Sequence, residues 1–370
     1  MRRHVERELK LSPGGSFSLG ALGGEPLPTR IFVSTYHDTP DLRLARHGVT
    51  FRHRLEDGTG VWQLKLPHGA ARIELEEAGP PARPPRALLD LLPAYLRGDQ
   101  VVPVARLRTR RESVAVDGAE VVQDSVAVLD AQYVARRFRE LEVELLDGDE
   151  RTLRRLEKAL RRAGAAADVD RPKLYRALDL ALPEEPEPLP PGAAPAHALA
   201  HAFGESYRRI LGHDPGTRLG LDPEDLHQLR VATRRARAFL RGGRTLLDRE
   251  WAESLRAELA WLGSALGPAR DLDVLVERLR AQVEALGPDG GAARGLLASL
   301  DEERAAARAA VAEALSSDRY LRLLDRLEQA ATSPRLSGDE LPLATLWWKE
   351  WKRAVRAVEA LADDAPDDAL

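Results

Sequence analysis

The first half of the chain alternates charged and apolar residues with a period of two, and its charged rows carry both signs. In Glu6-Arg7-Glu8-Leu9-Lys10, a β-strand puts Glu6, Glu8 and Lys10 on one face and Val5, Arg7, Leu9 and Leu11 on the other. Arg52 with Arg54, Gln63 with Lys65, and Arg72 with Glu74 and Glu76 repeat the device. So do Arg106, Arg108 and Arg110, and then Glu140, Glu142 and Glu144. Strands are expected at 3–11, 30–36, 49–56, 61–66, 72–77, 104–116, 119–130 and 133–146, with helices at 86–96 and 150–163. Two arrangements are open to such a set. An open sheet leaves the charged face in water; a closed one removes the sheet edges and turns the charges into a lumen. Rows of Arg and Lys around a lumen would hold a polyanion. Facing rows of Glu would repel one another unless a divalent cation lay between them.

At 370 residues the chain exceeds one ordinary core, and two domains are expected. No apolar run reaches the ~18–20 residues of a membrane span. The N-terminus enters a charged strand with no apolar signal-peptide core, so a cytoplasmic location is expected. The absence of cysteine excludes disulfides, thiol catalysis and thiolate metal sites. Of 55 basic residues only six are lysine, an arginine bias that fits a GC-rich genome and is not by itself a sign of phosphate binding. Three of those lysines, Lys10, Lys65 and Lys173, nevertheless fall in motif positions.

The ordered set of motifs runs through the whole first half. It comprises Glu6-x-Glu8-x-Lys10, Tyr36-His37-Asp38-Thr39-Pro40, Phe51-Arg52-His53-Arg54, Trp62-Gln63-Leu64-Lys65 and Arg72-x-Glu74-x-Glu76. Arg110, Asp124, Glu140-Leu141-Glu142-Val143-Glu144-Leu145 and Lys173 complete it. This set resembles the CYTH family, the triphosphate tunnel metalloenzymes. The resemblance implies an α+β architecture over 1–182: an eight-stranded antiparallel β-tunnel with flanking helices. Its members bind a triphosphate-containing substrate with Mg²⁺ or Mn²⁺. They hydrolyse inorganic triphosphate, thiamine triphosphate or RNA 5′-triphosphates, and a few cyclise ATP. Carried over by position, Glu6, Glu8, Glu142 and Glu144 would be metal ligands. Lys10, Arg52, Arg54, Lys65, Arg110 and Lys173 would contact phosphate oxygens. Asp124 would assist the metal or hold an arginine. Arg72, Glu74, Glu76, Arg108 and Glu140 would support the tunnel, as ion-pair partners or beside the metal. The metal and the basic side chains would stabilise charge on the transferred phosphoryl group. His37 stands where the family usually has another aromatic; it reads, with His47, His53 and His68, as a surface or core residue.

Residues 183–195 are Pro-rich and read as an extended linker. Beyond them an all-α helical bundle is expected over 196–370, with helices at 196–211, 223–246, 249–265, 268–285, 291–315, 318–331 and 341–362. The helix opened by Asp222-Pro223-Glu224-Asp225 puts His227, Arg230, Arg234, Arg237 and Arg241 in an arc of roughly 80°. That stripe is either a solvated or acid-paired face, or it faces an anion, because arginines at such spacing repel one another. The stretch 227–237, with Leu259-Ala260-Trp261-Leu262 and Arg270-Asp271-Leu272-Asp273, resembles the CHAD family, helical domains often fused to CYTH. The resemblance implies polyphosphate binding by those five side chains. One of the family's two usual helical halves is legible, so the domain is expected to be incomplete. Trp347, Trp348 and Trp351 would then be open to a homodimer contact.

The functional expectation is a divalent-metal-dependent triphosphatase coupled to a polyphosphate-binding helical domain, in association with polyphosphate granules. The alternatives are a non-catalytic polyphosphate-binding protein and an adenylate cyclase of the class IV type. A nucleic-acid partner is not expected, since the basic residues lack interleaved aromatics and the chain is net acidic at −4.

Overall fold

The computed structural model describes the chain apart from Arg7, Ser16, Ala70, Ala292 and residues 147–149, 168–170, 184–186, 288–290, 339–341 and 360–370. Within its elements, the side chains of Val5, Glu6, Glu8, Glu150, Ala167, Leu343, Leu346, Trp347, Lys349 and Ala357 also lie outside the described part. The residues form two compact units, Met1–Glu184 and Glu185–Leu370.

The first unit begins with β1 (Arg2–Glu6), β2 (Glu8–Pro13), β3 (Glu25–Pro26), β4 (Arg30–Asp38) and α1 (Arg43–Arg46). Next come β5 (Thr50–Glu56), β6 (Thr59–His68), β7 (Ala71–Ala78), α2 (Arg86–Leu89) and α3 (Pro93–Leu96). It ends with β8 (Val102–Val116), β9 (Ala119–Asp130), β10 (Tyr133–Leu145), α4 (Glu150–Arg162), β11 (Ala165–Ala167) and α5 (Lys173–Leu178). The strands make one antiparallel sheet in the order β1-β7-β6-β5-β4-β8-β9-β10-β2-β11, with β3 on β8. Eleven strands are described where eight were expected: the N-terminal segment supplies β1 and β2 on either side of Arg7, which lies outside the described residues, and two very short strands, β3 and β11, are added. β1 stands at one end of that order and β2 next to the other, inside the short β11, yet one residue separates them in sequence. The N-terminal strand therefore pairs with β7 through its first half and with β10 through its second. This joins the two ends of the sheet and closes it.

Hairpin chemistry fixes the registers. Asp57-Gly58 and Asp117-Gly118 have φ of 47° and 79°, and 53° and 76°, the two positive values that a two-residue type I′ turn requires. Outside the sheet, Leu156 and Leu160 of α4 pack on Leu11, Val121, Leu141 and Val143. On its inner face Leu174 and Tyr175 of α5 pack with Tyr36, Leu107 and Val126. The carboxylate of Asp38, in the Tyr36–Pro40 motif, accepts from the backbone N–H groups of Thr39, Leu44 and Ala45 at 2.7–2.9 Å. It anchors the β4–α1 turn rather than a ligand. The expected helix 86–96 divides into α2 and α3, with Pro93 opening α3.

The second unit is all helical: α6 (Pro195–Leu219), α7 (Pro223–Gly242), α8 (Arg249–Ala285), α9 (Arg294–Ser316), α10 (Asp318–Thr332) and α11 (Leu343–Glu359). Leu229, Leu255, Leu259, Leu262, Leu315 and Tyr320 are among its fully buried side chains. Two helices run through prolines, Pro215 in α6 and Pro268 in α8, so that α6 extends beyond the expected 196–211 and α8 joins the expected 249–265 and 268–285. An internal proline costs about 3 kcal/mol of helix stability, and here packing outweighs it. Around Pro215, buried Asp214 holds Arg218 at 2.6 Å and accepts from the Tyr320 hydroxyl at 2.8 Å. No helix among the described residues is long and apolar enough to cross a membrane.

Candidate active site

Seven strands and α5 send side chains into one cavity of about 210 Å³ inside the closed sheet. β2 supplies Lys10, β4 Arg30, Phe32 and Tyr36, β5 Thr50, Arg52 and Arg54, and β6 Gln63 and Lys65. β7 supplies Arg72, Glu74 and Glu76, β8 Arg111, β10 Glu142 and Glu144, and α5 Lys173 with the preceding Pro172. Among the described residues, eight basic side chains thus face four carboxylates on the wall.

The bases are held in place. Arg52 Nε donates to Gln63 Oε1 at 2.7 Å and its Nη1 to the Tyr36 hydroxyl at 3.1 Å. Gln63 in turn donates to Glu76 at 2.5 Å. The Arg54 guanidinium stacks 3.8 Å from the Phe32 ring centroid, and Arg30 makes two bonds of 2.6 and 2.9 Å to Glu56. Burial first, and then the neighbouring Arg52, lower the Arg54 pKa from its ordinary value. Lys65 lies 3.5 Å from Glu74.

At the floor three buried carboxylates converge. Lys173 Nζ stands 3.0 Å from Asp124 and 2.9 Å from Glu142, and is also paired with Glu140. Arg111 grips Asp124 through Nε and Nη2 at 2.9 and 2.8 Å, and reaches Glu142 at 3.1 Å and Glu144 at 3.3 Å. Burial works against ionisation of Glu142, but Lys173, Lys10 and Arg111 outweigh it and hold the carboxyl well below the usual range. Glu140 goes the other way: burial and the charge of Glu142 raise it to about 7 despite Lys173. The crowding that the sequence assigned to a divalent ion is therefore relieved in part by two basic side chains of the chain itself.

Oxygens of Asp124, Glu140 and Glu142 lie within 4.8 Å of one another, a spacing that a divalent ion could span. The wall offers a second donor set in Glu142 and Glu144, hard oxygen ligands two residues apart on β10. Buried Glu74 Oε1 accepts from no described group, and a metal-bound water could satisfy it. The residues fit a hydrated ion of the Mg²⁺ or Mn²⁺ kind, which takes one or two carboxylates and fills its remaining positions with water and phosphate.

Most of the expected site residues converge here: Lys10, Arg52, Arg54, Lys65, Arg72, Glu74, Glu76, Glu142, Glu144 and Lys173 line the cavity. Glu140 lies beneath it, and Asp124 holds Arg111 and Lys173 rather than facing the lumen. The backbones of Glu6 and Glu8 pair with Arg72 and Glu144; their side chains lie outside the described residues. Two expectations are corrected. Arg110 and Arg108 do not reach the lumen but stand exposed on the outer face, Arg110 paired with Glu112 at 2.8 Å. Leu107 sets the parity of β8 by packing into the inner cluster with Tyr36 and Leu174, so Thr109 and Arg111 face inward with it. Sequence reasoning missed Arg111, and the signal for it was Asp124, a lone acid on an apolar face that needs a buried cation.

In the helical unit His227, Arg230 and Arg234 of α7 meet Arg270, Asp271 and Val274 of α8 around a cavity of about 420 Å³. Arg230 donates to Asp271 at 2.7 Å. The stripe then divides. Arg237 lies against Gly263 of α8, where an added Cβ would stand 3.7 Å from its Nη1, and Arg241 is exposed further along. Asp273, one turn from the cavity, binds Arg308 of α9 at 2.9 and 3.0 Å. Arg308 also donates to the Gly220 carbonyl at 2.7 Å, so Asp273 is a brace between helices.

A CYTH domain profile matches residues 3–170, and a CHAD domain profile matches residues 201–370. Uncharacterized protein Rv2226 of Mycobacterium tuberculosis H37Rv is 32% identical over 408 residues, covering 99% of this chain and 78% of its own. Among solved structures, the CHAD domain from the plant Ricinus communis is 27% identical over 49% of this chain and 61% of that one, with a TM-score of 0.39. A Hippeastrum protein described as having a dominant triphosphatase activity is 20% identical over 48% of this chain and 98% of that one, with a TM-score of 0.33.

Proposed function

Because the chain belongs to the CYTH family in its first domain and to the CHAD family in its second, we propose that it hydrolyses inorganic triphosphate or a related triphosphate with a divalent metal and holds polyphosphate on its helical domain. The observation that carries this reading is the convergence of Lys10, Arg52, Arg54, Lys65, Arg72 and Arg111 on one cavity that also presents Glu142 and Glu144. A site for anions alone has no use for those carboxylates.

Arg52 and Arg54 from β5 and Lys65 from β6 bind the oxygens of successive phosphates. Their fixed frame holds the chain in line for attack with little reorganisation. Arg111, clamped by Asp124, presents a guanidinium whose orientation is already set. Lys173 holds Asp124 and Glu142 ionised and in place. Mg²⁺ or Mn²⁺ held by Glu142 and Glu144, with Glu6 and Glu8 assigned to the same role, would supply Lewis-acid polarisation of a phosphoryl oxygen. A phosphoryl transition state needs charge stabilisation and positioning more than covalent chemistry, and the cavity's residue types suit that demand.

The test is phosphate release from tripolyphosphate, thiamine triphosphate and ATP, with and without added metal. Tripolyphosphate is expected to be cleaved, and chelation to abolish the reaction. Glu144→Gln is expected to raise the half-saturating metal concentration by roughly 10- to 100-fold. Binding of tripolyphosphate without release would replace hydrolysis by a purely binding role, and cyclic AMP formed from ATP would replace it by cyclisation.

For the helical domain, Arg230→Glu combined with Arg234→Glu is expected to weaken polyphosphate binding. The slope of log affinity against log salt should flatten by about 2, one unit per lost contact. An unchanged slope would leave the arginines of α7 as a solvated face.

A further inference from the structure

The arginines of β8 that fail to enter the lumen form an ordered surface of their own. Across three adjacent strands the register sets Arg108 beside Ala127 and Ala127 beside Arg137. The next rung repeats it with Arg110, Ser125 and Arg139. Each rung is arginine, small residue, arginine. With strands ~4.8 Å apart, the two arginine rows stand about 10 Å from each other, and successive rungs are about 7 Å apart along β9. The central strand contributes only a methyl group and a hydroxyl to the floor, and the depression between the rows measures about 700 Å³.

All four arginines are exposed. Arg110 has Glu112 as a counter-ion, whereas no ion pair or hydrogen bond links Arg108, Arg137 or Arg139 to any described residue. The rows stand on either side of β9 and are too far apart to repel strongly in salt, and an anion lying between them meets guanidinium groups from both sides. We propose that the outer face of β8, β9 and β10 is a second phosphate-chain site, a groove in which an extended inorganic polyphosphate lies along β9 between two rows of guanidinium forks.

The choice of occupant follows from the groove. Guanidinium groups bind phosphate oxygens in bidentate fashion. Paired rungs at a constant spacing suit a ligand that carries charge on every repeat, not one compact anion. A single-stranded nucleic acid would need rings to stack on. The ring at the margin, Phe138, is instead packed into the inner cluster and lies 4.7 Å under the Arg176 guanidinium. The groove is separate from the tunnel, because Arg111 and Asp124, the neighbours of Arg110 and Ser125 along their strands, face inward. It stands whether or not the tunnel is catalytic.

The experiment uses the full chain and end-labelled linear polyphosphate, read by fluorescence anisotropy across a salt series. Arg108→Ala, Arg137→Ala and Arg139→Ala are combined, once in the native chain and once in the Arg230→Glu/Arg234→Glu background expected to weaken the helical site. In both backgrounds the triple substitution is expected to weaken binding by roughly 10- to 100-fold at low salt and to flatten the salt slope by about 2–3. Tripolyphosphate turnover and the melting temperature should not change, since none of the three side chains touches the cavity. Affinity and slope unchanged in the second background would overturn the proposal. So would an equal loss for a single-stranded oligonucleotide, or equal competition by an acidic peptide of the same charge, because the groove would then not be selective for a phosphate chain.

Discussion

Replacing Lys173 by methionine is expected to destabilise the first unit by about 3–5 kcal/mol, the usual penalty for leaving a buried ion pair without its partner. The ammonium is 8% exposed and touches Asp124, Glu140 and Glu142. Without it, Arg111 still answers Asp124 and Glu142, but Glu140 keeps only Arg176 at 3.6 Å. At 2–4 °C per kcal/mol for a unit of this size, the melting temperature should fall by about 6–20 °C. The pH dependence is distinctive. Glu140 is raised to about 7, so its protonated form favours the native state below the unfolded carboxyl value, and this contribution is lost as pH rises through 7. Removing Lys173 takes away the cation that lowers Glu140, so protonation can relieve the crowding at pH 5 but not at pH 8. The deficit should accordingly be larger at pH 8. Millimolar Mg²⁺ or Mn²⁺ should restore part of it by supplying charge to the same oxygens. A melting curve that matches the native protein at both pH values would remove Lys173 from its assigned place at the floor.

Arg52→Ala is expected to lower kcat for tripolyphosphate by about 10²- to 10³-fold, the scale of losing one preorganised donor to a developing charge. Two neutral partners, Gln63 and Tyr36, hold the guanidinium at its head, so the contact it offers a phosphate is already oriented. Stability should move by less than about 1 kcal/mol, because the side chain is only partly buried and its removal relieves repulsion with Arg54. Arg52→Lys, which keeps the charge but not the fork, should recover a fraction of the rate. A kcat within threefold of native for Arg52→Ala would mean that the phosphate chain binds elsewhere in the cavity.

Much of this site can be read from residue spacing, and the failures have identifiable causes. On β5, β6 and β7 each charged row alternates with large apolar residues, so parity is unambiguous and Arg52, Arg54, Lys65, Glu74 and Glu76 fall where expected. β8 carries Arg106, Arg108, Arg110 and Arg111, and the doubled arginine leaves both parities open. Leu107 decides between them, through contacts with Tyr36 and Leu174 that are far away in sequence. Asp124 was legible as an aid to the metal or a holder of an arginine, but which arginine it holds, Arg111, was hidden in that ambiguity. In the helical half the amphipathic pattern located α7. The expected bounds 196–211, 249–265 and 268–285 differ from α6 and α8 because local propensity cannot register the packing that carries a helix through Pro215 or Pro268. Arg237 was grouped with its neighbours by its angle on the wheel, whereas a glycine on another helix decides where it lies.

The strand that joins the sheet's two ends also constrains how the protein comes into being. Its residues leave the ribosome well before the partner of its second half, β10, which lies more than a hundred residues downstream. Until that segment emerges, the N-terminal strand can satisfy only one side of its backbone ladder. Pairings so distant in sequence slow folding and prolong the exposure of unpaired edges. Closure of this barrel thus waits for β10 to reach the strand made long before it, and in that interval the unpaired side of β2 is the edge most open to strand exchange between nascent molecules.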